Sequence, residues 1–136
     1  MIKLNRSTWI ILTVIEMIAI VYLSVRPEAP GHGPSLPWEV FHKFGHLMAY
    51  GVLTYLYLQC FGYFNRKLNQ ILFKAFSIAV LFGAFNEFLQ LFCPTRSARW
   101  WDVLVNAIGA GVVIFIVKRI RLGLKVRVKK PVWSKG

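Results

Sequence analysis

The sequence predicts an all-α, polytopic membrane protein: a bundle of four transmembrane helices. Three observations carry this. The chain has 136 residues, the length of one domain, and is 57% hydrophobic but only 16% charged, where soluble domains carry roughly 25% charged residues. Its mean hydropathy is +0.54. Four apolar stretches recur along it, and strict period-two alternation, the mark of a β-barrel, is absent.

The first stretch covers roughly 7–25. Lys3 and Arg6 precede it as in a signal peptide, but Leu23-Ser24-Val25-Arg26 is a poor cleavage sequence, so a retained helix is expected. Glu16 interrupts it and is expected either to be protonated or to pair with Lys74. The segment 26–41 holds four prolines and two glycines, which predicts an irregular loop. The second and third stretches, 44–64 and 71–93, meet comfortably the roughly 17–25 apolar residues that a span requires. The fourth, 101–117, is short, and Trp100, Trp101, Lys118 and Arg119 are expected to anchor its ends at the interfaces. This divides the chain into a membrane domain over 1–117 and a basic tail over 118–136.

A net charge of +12 is compatible with nucleic-acid binding, so the placement of the charge decides. Thirteen of the seventeen basic residues (Lys3, Arg6, Arg66, Lys67, Lys74 and the eight of the tail) fall on one side of the predicted bundle. Cytoplasmic flanks collect Lys and Arg. The expectation is a multi-pass plasma-membrane protein with both termini cytoplasmic, with membrane lipids rather than nucleic acid as partner. The two cysteines make no disulfide framework. Cys60 falls near the inner end of the second helix and Cys93 at the outer end of the third, too far apart to pair.

One seam departs from this apolar pattern. Residues 86–106, "NEFLQLFCPTRSARWWDVLVN", contain two of the five acidic residues in the chain. Depths counted at about 1.5 Å per residue put His46, Tyr50, Glu87, Gln90, Asp102 and Asn106 in one layer of the outer half-membrane, on three helices. Arg96 and Arg99 cap the layer from the loop. A charge facing lipid costs roughly 2.5–3.5 kcal/mol, so these groups must face one another or water. That predicts either a polar network tying the helices together, with Arg96 or Arg99 paired to Asp102 and His46 to Glu87, or the wall of an outward-opening pocket.

"HKFGHLMAY" and "NEFLQLFCPTRSARWWDVLVNAIG" resemble the VanZ-like family of small bacterial membrane proteins. The family pattern reads D-K-x-x-H-x-x-x-Y, then E-x-x-Q, P-x-R and D-x-x-x-N-x-x-G. It is matched by Lys43, His46, Tyr50, Glu87, Gln90, Pro94, Arg96, Asp102, Asn106 and Gly109, over roughly 42–110. His42 stands where the family usually has Asp. The resemblance implies a four-helix integral membrane protein, and the family takes its name from a protein associated with resistance to teicoplanin.

Three readings of the layer follow. In the first, Lys43, His46, Tyr50, Glu87, Gln90, Arg96, Arg99, Asp102 and Asn106 form a binding site for a cell-wall precursor or a lipid-tailed glycopeptide, with the arginines and the fourth helix's N-terminus drawing a phosphate or carboxylate. In the second, Glu87, Asp102 and His46 act as catalytic acids and bases. No Ser, Thr, Cys or Tyr nearby sits in a nucleophile motif. His42 and His46 give only half a zinc site, so neither metal nor cofactor is expected. In the third, the layer only packs helices.

Overall fold

The computed structural model describes residues 4–26, 36–62, 67–93 and 99–129. Four helices follow in order: α1 Arg6–Val25, α2 Leu36–Gly62, α3 Leu68–Gln90 and α4 Trp100–Lys129.

Asn5 starts α1. Its Oδ1 accepts from the backbone N–H of Thr8 at 2.7 Å and from the Thr8 hydroxyl at 2.6 Å, a cap worth about 1 kcal/mol. Trp9, Thr13, Ile20 and Ser24 form the buried stripe of α1, at the spacing of one helix face. Ile11, Ile15, Ile18 and Tyr22 are exposed on its other sides.

α2 begins inside the segment expected to be irregular, so 36–41 is helical. Pro37 fits because it lies in the first turn, where its missing N–H would have no helical partner anyway. Glu39 in that turn complements the helix dipole. α2 packs against all three other helices, most extensively against α4. Tyr50, Leu53 and Thr54 are sealed on this central helix.

Two glycines make that contact close. The carbonyl of Leu47 lies directly against Gly109, where a Cβ would have no room, and Gly51 approaches the Gly109 carbonyl and Val113. Small residues at a membrane-helix interface let the backbones approach in this way. α3 runs antiparallel to α4: Gly83 faces Asn106, and Phe76 lies beside Gly111. The apolar core gathers Ile20, Leu53, Tyr57, Leu72, Ala75 and Ala110.

Among the described residues, three helices are long and apolar enough to cross a membrane: α1, α3 and the Trp100–Gly123 part of α4. This reverses part of the sequence reading. The fourth stretch, expected to be short, lies within a 30-residue helix that runs to Lys129, because no proline occurs between Trp100 and Pro131. The second stretch, expected to be comfortable, falls outside the set. His46, Thr54, Tyr50, Tyr57 and Gln59 lower its hydropathy, and four of these five are buried against the other helices.

Glu16 and Lys74 do not pair. Cys60 and Cys93 are both free. The Cys60 thiol lies 3.3 Å from the Thr13 hydroxyl, within hydrogen-bond distance.

Candidate functional site

The buried polar side chains collect where α1 and α3 end and where α2 and α4 begin. Asn86, Glu87, Gln90, Asp102 and Asn106 are each no more than 5% exposed, and His46 is 9% exposed. Polar groups are this deeply buried only when something compensates them, so their partners define the site.

His46 Nδ1 lies 3.0 Å from Asn106 Oδ1 and ties α2 to α4. A hydrogen bond to the amide oxygen requires a proton on Nδ1. One turn on, the Tyr50 ring lies nearly parallel to that of His46, at 6.4 Å. The His42 ring stands 4.6 Å from His46 on the other side.

Glu87 takes a role that helix periodicity alone does not reveal. The backbone N–H of Arg99 donates to its Oε2 at 3.4 Å, and Gln90 Nε2 donates to its Oε1 at 3.4 Å. The carboxylate therefore sits at the N-terminus of α4. Asp102 lies in the first turn of the same helix. These two acids already supply the negative charge that a helix N-terminus favours. Of the two arginines expected beside Asp102, Arg99 is engaged elsewhere: its guanidinium pairs with Glu39 at 3.1 Å, on the exposed rim. Lys43 is exposed and stands apart from the buried layer. Arg96 and Pro94 lie outside the described residues.

The sequence reading placed the layer on three helices, but α1 joins it as well. Asn86 Nδ2 donates to the Ser24 hydroxyl at 2.7 Å. The signal lay in the spacing: Ser24 falls on the same face as Thr13 and Ile20, and Asn86 directly precedes Glu87.

The network does not close on itself. Among the described residues, the Tyr50 hydroxyl, Asn86 Oδ1 and Asn106 Nδ2 are enclosed and meet no hydrogen-bond partner of full geometry, although the Tyr50 hydroxyl lies near enough to the Asn86 side chain to interact with it. The Tyr50 hydroxyl stands beside Asn86 and Glu87. The α3 backbone passes over the group at Gly83, where a Cβ would lie 3.1 Å from Asn106 Nδ2 and 3.2 Å from Tyr50 Cε1. The unused capacity is two donors and one acceptor, all uncharged. Among the described residues, no three of His, Cys, Asp and Glu are grouped to hold a metal ion.

The sequence profile of the VanZ/LLP1 family matches residues 2–121. The chain belongs to this family. No curated protein and no solved structure matches it. The VanZ/LLP1 match covers the whole polar layer, α1 with Ser24 included, and α4 almost to Gly123.

Proposed function

We propose that this VanZ/LLP1 protein crosses the plasma membrane four times, with both termini in the cytoplasm. Its polar layer then binds the hydroxyl- and amide-bearing part of a lipid-anchored cell-envelope component, or of a lipid-tailed glycopeptide of the teicoplanin type. α2 is the fourth span, with its polar side turned to its three neighbours and Phe44, Met48, Val52 and Tyr55 left exposed on the other side. The basic residues around 66–74 and after 117 support this orientation, which opens the polar layer outward.

The observation that carries the reading is the unspent hydrogen-bonding capacity of Tyr50, Asn86 and Asn106. A network that served packing alone would be expected to satisfy its own members, because each enclosed unpaired group costs roughly 1–3 kcal/mol. Glu87 and Asp102 already serve the α4 N-terminus, which favours a neutral polar group over a phosphate at this place. Arg96 and Arg99 would then meet any anionic part of the ligand at the rim.

The test compares Glu87→Gln and Asn106→Leu with the unsubstituted chain, each produced in a teicoplanin-susceptible bacterium. The expected result is that both variants accumulate as folded membrane protein while any change in teicoplanin tolerance conferred by the chain is lost. If both variants keep that tolerance, or lose it only through loss of the protein from the membrane, the layer is packing alone.

A further inference from the structure

A second feature lies at the opposite end of the bundle from the polar layer. A groove of about 320 Å³ separates α3 from α4, lined by Asn69, Leu72, Phe73, Phe76, Ile114 and Lys118. Because the helices are antiparallel, Asn69 and Lys118 share one end of the groove. The apolar wall extends roughly 10 Å from there, the rise over the seven residues from Asn69 to Phe76.

Among the described residues, the charge at this end has no acidic counterpart. Lys67, Lys74, Lys118, Arg119 and Arg121 are exposed here, and none of them forms an ion pair among the described residues. No acidic residue occurs between Lys67 and Phe85 or after Asp102. Lys67 gives α3 no side-chain cap, and the Gln70 and Ile71 N–H groups turn back to the Lys67 carbonyl.

We propose that this groove is a binding site for one anionic glycerophospholipid. One acyl chain lies along Leu72, Phe73, Phe76 and Ile114, and the phosphate rests on the Lys118 ammonium and the Asn69 amide. A second copy of the chain fits less well, because it would bring the same uncompensated cations to the contact. Free phosphate would leave the apolar wall uncovered.

The experiment is native mass spectrometry of the full chain, released from micelles holding equal amounts of phosphatidylglycerol and phosphatidylcholine. The unsubstituted protein should retain one phosphatidylglycerol in preference to phosphatidylcholine. Lys118→Gln should reduce that preference about fivefold, the loss of one basic contact with an anionic lipid. Arg127→Gln, which removes the same charge from the tail, should leave the preference unchanged. Ile114→Trp should fill the groove and remove the bound lipid while the helical circular dichroism is retained. If Ile114→Trp does not fold, the comparison of Lys118→Gln with Arg127→Gln decides. Equal retention of the two lipids, equal effects of Lys118→Gln and Arg127→Gln, displacement of the lipid by millimolar inorganic phosphate, or a lipid-free dimer would each overturn the proposal.

Discussion

Replacing Gly109 by alanine should pull two helices apart. A Cβ at Gly109 would overlap the Leu47 carbonyl oxygen, and both sides of the overlap are backbone, so no side chain can swing away. Restoring a contact of ordinary length, ~3.5 Å or more, requires α2 and α4 to separate by on the order of 1 Å. His46 and Asn106 lie beside that contact, one on each helix, and their 3.0 Å hydrogen bond would stretch beyond the useful range of roughly 3.2 Å. Overpacking costs about 1–3 kcal/mol, and the broken buried pair costs about 1–3 kcal/mol more. The helix itself gains about 1 kcal/mol from Gly→Ala. The net expectation is a loss of about 1–5 kcal/mol. Gly111→Ala is the matched control: its Cβ would meet only Phe76, at 4.0 Å, so that variant should be neutral or gain up to about 1 kcal/mol. Both variants can be unfolded in mixed micelles by titration with sodium dodecyl sulfate and followed by circular dichroism. Gly109→Ala matching or exceeding Gly111→Ala in stability would refute the close α2–α4 contact.

Three further outcomes are expected. Ser24→Ala should cost about 1–3 kcal/mol in the same assay by orphaning Asn86, and adding Asn86→Leu should recover most of it, since replacing both partners is far milder than removing one; an unchanged single variant would mean that Ser24 does not hold α1 to α3. Arg99→Gln should cost no more than about 1 kcal/mol, because the Arg99–Glu39 bridge sits between side chains 46% and 34% exposed, and the effect should vanish in molar salt. In intact cells an impermeant maleimide should modify Cys93 and leave Cys60 unmodified; modification of Cys60 alone would invert the proposed topology.

Much of this was legible in the sequence because a membrane helix declares itself through run length, and an intramembrane charge stands out against such a run. Glu87, Gln90, Asp102 and Asn106 were conspicuous for that reason, and all four are buried. What remained hidden depended on direction and on competition. Depth counting placed Arg99 near Asp102, yet Glu39 takes its guanidinium, because α2 starts about two turns earlier than its apolar run. Lys43 matches the family pattern but is exposed rather than buried with the layer. Ser24 passed unnoticed because a lone serine in a helix carries no charge to mark it. Run length also misjudged α2 and α4 in opposite senses, since it passed over the polar residues inside the first and stopped the second at Lys118, well short of its helical end.

The uneven polarity of the helices bears on the order in which the protein is made. With α2 crossing the membrane as proposed, it emerges from the ribosome after α1 but before α3 and α4. At that moment His46 has no Asn106, and the wall that will cover Tyr50 is still unsynthesised. α1 is apolar enough to enter the bilayer unaided. α2 gains little from lipid until α4 arrives more than fifty residues later. A nascent chain halted before Trp100 would therefore hold α2 loosely, at the translocation channel or in its aqueous mouth, and would be open to proteolysis. Synthesis of α4 converts that reversible intermediate into a committed bundle, so a stop codon in α4 should deplete the whole protein rather than only shorten it.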